Sequence, residues 1–175
     1  NLLVMRPADT IETAECWDIA LKSKDAPSLL ALSRQNLPQL RTEAAENRCA
    51  KGAYRLRGAG AARKVVLLAT GSEVSLAVEV ADRLEAQGIG ADVVSVPCWE
   101  LFDGQGADYR RDLLPADVLK VSIEAASTFG WERYTGLDGL RFGIDRFGAS
   151  APAERLYEYF GLTADAIAPR IRAAL

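Results

Sequence analysis

KVVLLATGSEVSLAVEVADRLEAQG, residues 64–88, changes its hydrophobic period part-way along. Residues 65–69 form an unbroken apolar run, which suits a strand buried on both faces. Thr70-Gly71-Ser72 follows as a tight turn. From Glu73 onward the apolar residues Val74, Ala77, Val78, Ala81 and Leu84 recur at helical spacing and make one stripe. Ser72 is placed to cap that helix, and Gly88 to end it in the left-handed conformation just past the C-cap. Residues 91–96, closed by Pro97, supply the next strand. A strand, a helix and a second strand in this order make a parallel crossover unit.

Outward toward the C-terminus the alternation continues. Residues 103–111 read as irregular or a short helix, and Leu113-Leu114-Pro115 as a break. Residues 118–124 read as a third strand, 130–135 as a helical turn carrying Trp131, and 141–144 as a fourth short strand. A helix over 151–160 has Ser150 and Pro152 at its start. Thr163 caps a last helix that Pro169 interrupts or kinks. This pattern is an α/β fold, an open and mostly parallel sheet flanked by helices.

Toward the N-terminus residues 1–5 read as a strand and Arg6-Pro7-Ala8-Asp9 as a turn. Asp9 and Glu12 stand in capping-box register before a helix over 10–22. Pro27 opens a second short strand, 28–32. Two parallel strands and one helix cannot cover both faces of their own sheet. The expectation is therefore a strand–helix–strand remnant of another α/β domain. Residues 39–62 are polar, then rich in Gly, Ala and Arg, and read as a linker. Within it, 53–57 has the composition of an edge strand.

The chain has 175 residues, 49% of them hydrophobic, which suffices for a real core. A net charge of −3 offers no basic face for nucleic acid and no polybasic membrane contact. No apolar run spans a bilayer. Cys16, Cys49 and Cys98 are widely spaced and read as free thiols of a reducing compartment. There is no histidine. That excludes a Ser-His-Asp triad and a His-ligated zinc site built from this chain alone.

Three groups of residues are candidates for chemistry. Thr70-Gly71-Ser72-Glu73 leads from a strand into a helix, where backbone N–H groups bind phosphate. It has a single glycine, however, and Glu73 would repel an anion, so a capped turn is the expectation. Glu100, Asp103 and Glu124 fall near strand ends, with no spacing that makes them a set. The third is LALSRQNLPQL, residues 30–40. There Arg34 lies just past the carboxyl end of a short buried strand, where open α/β sheets place ligands. Its guanidinium fork matches phosphate oxygens, and Ser33, Gln35 and Asn36 add polar groups. The three tryptophans read as core or interface packing.

Six strings, in order, resemble the C-terminal third of transketolases. They are RPADTIETAECW (6–17), LALSRQNLP (30–38), ATGSEVSLAVEVADRL (69–84), VVSVPCWELFDGQ (93–105), FGWERYTG (129–136) and RFGASAPAERLYEYFGLTADAI (146–167). The resemblance implies that residues 1–38 are the tail of the pyrimidine-binding domain, 39–62 the linker and 63–175 the C-terminal domain. It implies a cytoplasmic, homodimeric enzyme of the pentose phosphate pathway. Such enzymes use thiamine diphosphate and a divalent cation, Mg or Ca, to move a two-carbon ketol unit between sugar phosphates. The arginine of the SRQNLP motif holds the substrate phosphate in this family, and Arg34 occupies that position. The family's GDG…N cofactor motif, its activating glutamate and its active-site histidines have no counterparts here. The resemblance therefore implies a piece that is inactive alone and binds no cofactor of its own, and it assigns no role to Gly71 or Glu124. The competing expectations are a fragment of a related thiamine enzyme, such as a deoxyxylulose-phosphate synthase or a dehydrogenase E1 β chain, and a dimerisation or regulatory α/β module.

Overall fold

The computed structural model describes all residues, 1–175. The chain begins with a two-stranded parallel sheet, β1 (Leu3–Met5) and β2 (Ser28–Leu30), joined through α1 (Thr10–Lys22). A single 3-10 turn, Arg48–Lys51, precedes β3 (Tyr54–Arg57). Then come β4 (Arg63–Ala69), α2 (Glu73–Glu85), β5 (Gly90–Ser95), α3 (Trp99–Asp103), α4 (Ala107–Leu113) and β6 (Leu119–Ile123). The chain closes with α5 (Glu132–Thr135), β7 (Leu140–Phe142), α6 (Ala153–Phe160) and α7 (Ala164–Arg172).

The larger sheet has the order β3-β5-β4-β6-β7, with β3 antiparallel and every other pair parallel. Central β4 alternates its side chains between two cores. Val65, Leu67 and Ala69 join the side covered by α2 and α7, with Val80, Leu84, Ile167 and Ile171. Val66 and Leu68 join the opposite side, with Phe102, Trp131 and Tyr134. Each such Val, Leu, Ile or Phe side chain, fully buried, contributes about 1.5–3 kcal/mol. A third cluster of Met5, Cys16, Cys49, Tyr54 and Cys98 joins the small sheet to the large one. No helix is long and apolar enough to cross a membrane.

Several local expectations change in the structure. Strand β2 stops at Leu30 rather than Leu32, because Ala31 N–H donates to Met5 O at 2.8 Å and β1 then offers no further partner. Helix α3 begins at Trp99, ahead of the irregular segment expected from 103, and a second helix forms over Ala107–Leu113. Ser72 sits at the start of α2 but makes no cap hydrogen bond. Its own backbone is already helical, and its hydroxyl donates instead to Glu73 Oε1 at 2.7 Å. Helix α7 runs through Pro169, which lies within its length. Trp17 stands 52% exposed on α1, outside every core of this chain.

Other elements fall as expected. Asp9 Oδ1 accepts from Glu12 N–H at 2.8 Å, and Glu12 reaches back to Ala8 N–H at 2.7 Å, one residue before the usual capping-box donor. Thr163 caps α7 through Ala166 N–H. Gly88 takes φ 76°, and Ile89 N–H closes back on Leu84 O at 3.0 Å.

Candidate functional site

From β4 the chain winds to β5 on one side and to β6 on the other. The direction reverses between β4 and β6, and the carboxyl ends at Ala69 and Ile123 should flank a ligand crevice. That crevice is filled by the protein itself. The loop between β1 and α1 lies over it, with Gly71 N–H donating to Arg6 O at 3.1 Å and Arg6 N–H to Pro97 O at 2.9 Å. The Arg6 guanidinium pairs with Glu124 Oε1 and lies 5.6 Å from the Trp99 ring centre. Trp131 Nε1 donates to Glu124 Oε2 at 2.5 Å. Beside it, Glu73 accepts from Ala125 N–H at 3.1 Å and from Tyr157 Oη. Burial pushes the Glu124 carboxyl above its usual range. Arg6 and Trp131 pull it back, and the nearby Glu73 charge adds to the rise. The turn at Gly71 thus spends its amide on the neighbouring loop and presents two buried carboxylates, which is the opposite of a phosphate cradle.

The three acidic candidates are not brought together as a set. Glu100 Oε2 accepts from Val4 N–H at 3.2 Å, and Asp103 accepts from Tyr134 Oη at 2.9 Å and Arg133 at 2.7 Å. Glu124 is bound to Arg6. Nowhere do three or more Cys, Asp or Glu side chains converge as metal ligands. The chain therefore offers no cluster of side chains suited to a divalent cation.

The remaining candidate is the bend after β2. There the chain leaves the small sheet and bends at Arg34-Gln35, with Ser33 Oγ donating to Gln35 O at 3.1 Å. Arg34 is exposed and takes part in no ion pair. Its neighbours Ser33, Gln35 and Asn36 line a groove of about 460 Å³ against Pro7, Asp9 and Thr13. The opposite wall is held by Asp9, whose Oδ2 accepts from Gln39 Nε2 at 2.9 Å, Leu40 N–H at 3.1 Å and Arg41 N–H at 3.2 Å. Sequence reading found Asp9 as a helix cap and missed this second role. The partners lie 30 to 32 residues away, and no local pattern connects them. Deeper in the unit Glu12 accepts from Tyr54 Oη at 2.7 Å and Ser95 Oγ at 2.6 Å. Burial outweighs these donors and raises its pKa. Glu15 pairs with Arg41 at 2.6 Å. This buried network joins the groove to the large sheet.

Comparison with known proteins agrees with this architecture. The sequence model of the family described as the transketolase-like TK C-terminal domain matches residues 52–163. A transketolase of Sinorhizobium medicae is 58% identical over 167 residues, covering 94% of this chain and 24% of its own. The chloroplastic transketolase of Solanum tuberosum is 48% identical, covering 95% of this chain and 23% of its own. Among solved structures, Pichia stipitis transketolase in complex with sedoheptulose 7-phosphate superposes with a TM-score of 0.91 at 41% identity. That match covers 99% of this chain and 25% of the Pichia chain. Leishmania mexicana transketolase gives 0.89 at 43% identity, with 99% and 25% covered. The chain spans about a quarter of the length of the relatives it matches. On its sequence and its fold together, it belongs to the transketolase family.

Proposed function

We propose that this chain works as the C-terminal part of a longer transketolase polypeptide, and that Arg34 binds the phosphate of the sugar substrate there. The reaction is transfer of a two-carbon ketol unit from a ketose phosphate to an aldose phosphate. It belongs to the pentose phosphate pathway, in a cytoplasmic homodimer. Thiamine diphosphate and its divalent cation, Mg or Ca, supply the carbanion chemistry and are held by residues outside this chain. Residues 1–38 complete a pyrimidine-binding domain, 39–62 link it onward, and 63–175 form the C-terminal domain. The edge of β2 favours that division: Pro27 and Ala31 bond to β1, so the alternating Ser28 and Leu30 turn their amides to the open side.

One observation carries the role of Arg34. Arg34, exposed and in no ion pair, lies four residues past the end of β2, between Ser33 and Gln35, which line a polar groove whose far wall is fixed by Asp9, while Arg34 itself is not in the lining. A phosphate bound there anchors the non-reacting end of the sugar, so the arginine positions substrate without touching the bond that breaks. The test is Arg34→Ala in a full-length transketolase carrying this segment. A hydrogen bond to a charged group is worth about 1.5–3 kcal/mol, so kcat/KM for a phosphorylated donor should fall roughly ten- to a hundredfold. Turnover of an unphosphorylated ketose should not change, and neither should the melting temperature. An equal loss on both donors would remove the phosphate role. The 175-residue chain alone, given cofactor, cation and both sugars, should transfer nothing, and measurable turnover would overturn that expectation.

A further inference from the structure

The amino end of the large sheet carries a second groove, of about 610 Å³, lined by Arg110, Arg111, Lys120 and Arg133. Four cations converge there on a chain whose net charge is −3. About half of the cations in this chain, 11 of 21, pair with a carboxylate. Arg55 and Arg63 share Asp92, Arg57 has Asp82, and Arg83 has Asp165. In the groove two of the four cations, Arg111 and Arg133, have a carboxylate partner and two do not. Arg110 has no ion pair, and Lys120 Nζ donates only to the neutral carbonyls of Pro115 at 3.0 Å and Val118 at 2.9 Å. Those two bonds hold the ammonium in place and leave its charge unbalanced. Asp103 is the one carboxylate in the lining, and both its oxygens are engaged, one by Tyr134 Oη and the other by Arg133. Arg133 is braced further against the Trp99 and Tyr134 rings, at 5.9 Å from each ring centre. Arg111 pairs only with exposed Asp108 on its own helix. Asp112, the other acid of α4, is taken by Arg55.

We propose that this groove between α4, α5 and the start of β6 binds a small polyanion carrying two phosphate groups. The unpaired guanidinium of Arg110 and the anchored ammonium of Lys120, with Arg111 and Arg133 also in the lining, supply enough separate cationic donors for two phosphates rather than one. The excess of positive charge in a concave surface focuses potential on the same spot. No catalytic role is assigned to it.

The test is calorimetric titration of the 175-residue chain with inorganic pyrophosphate at low ionic strength. The expected result is saturable one-to-one binding that weakens as salt rises. Arg110→Glu/Arg111→Glu should weaken it by at least about tenfold, the loss expected when paired charge-assisted contacts become repulsive. Arg34→Ala should leave it unchanged. Arg110 and Arg111 are both exposed, so the fold should tolerate the reversal. If the double variant melts early, Arg110→Ala carries the comparison, since that residue has no partner to lose. Replacing pyrophosphate by ADP separates the two sources of a diphosphate. Equal affinity means that the phosphates alone are recognised, and tighter binding means that the groove also holds the nucleoside. Absence of saturable heat, undiminished binding in the charge-reversed chain, or loss of binding in Arg34→Ala would each overturn the proposal.

Discussion

The guanidinium of Arg6 reaches from the loop after β1 to the carboxylate of Glu124 at the end of β6, across 118 positions of sequence. That pair plugs the crevice where an open α/β sheet would otherwise take a ligand, and it fixes the small sheet to the large one. Arg6 is 28% exposed at its side chain and Glu124 only 8%. Removing the arginine strands a buried charge. Breaking a buried pair from one side costs about 3–5 kcal/mol, and the partial exposure of Arg6 puts Arg6→Met near the lower figure. The double variant Arg6→Met/Glu124→Gln should recover most of the loss. Urea denaturation of the four proteins checks this, and additive losses would mean that the pair is not coupled.

The same carboxyl sets a pH dependence. Burial raises the pKa of Glu124 in the folded chain, so between the unfolded value and that raised value the native state holds the extra proton. Where the native state binds more protons, stability falls as pH rises. Glu124 therefore takes stability away on going from about pH 4.5 toward neutrality. Glu12 is shifted in the same direction by burial and adds to the effect. Glu124→Gln should flatten the slope of unfolding free energy between pH 5 and pH 7. An unchanged slope in that variant would show that the titration belongs to other groups.

Legibility in the sequence followed the range of the interaction. The run at residues 65–69 and the stripe from Val74 to Leu84 placed β4 and α2 because period and burial agree there. Asp9 and Thr163 were readable as caps, since their partners lie three residues away. The exposed bend that carries Arg34 was readable because a strand end followed by polar residues is a local pattern. Arg6–Glu124, the second set of bonds to Asp9, and the filling of the Gly71 turn were not readable, because each joins segments that only the tertiary fold brings together. Helix α3 was not readable for a similar reason, although Trp99 packs on the core as expected. Trp99 at its start packs edge-on against Trp131, with ring centres 4.9 Å apart, and no side chain caps the helix.

Gly52 illustrates a constraint that only the packed chain reveals. It ends the 3-10 turn at φ 78°, and a Cβ there would lie 2.1 Å from Phe102 N and 2.4 Å from Cys98 O, both backbone atoms. Gly88 has nearly the same φ, with nothing within 4 Å. Gly88→Ala should thus cost only the left-handed penalty of about 1–2 kcal/mol. Gly52→Ala adds overpacking of roughly 1–3 kcal/mol or more, and should lower the melting temperature distinctly further. Equal shifts in the two variants would show that the backbone around Phe102 yields freely.

The three thiols offer a test of the junction between the sheets. Cys16, Cys49 and Cys98 are all buried, in one cluster with Met5 and Tyr54. Burial is the main reason that the Cys98 thiol is pushed up to about 12, and the Glu100 carboxylate beside its Sγ, at 3.3 Å, adds to the rise. The reactive species is the thiolate, so at pH 8 the folded chain should show essentially no fast labelling by an aromatic disulfide reagent. Three thiols should appear in denaturant. The cluster lies between the small sheet and the large one, so the native labelling rate reports how often they part. Arg6→Met, which loosens the same junction, should raise that rate while three thiols remain the end point. A fast-reacting thiol in the unmodified native chain would mean that the small sheet is detached for much of the time, and that the Arg6–Glu124 pair does not hold it.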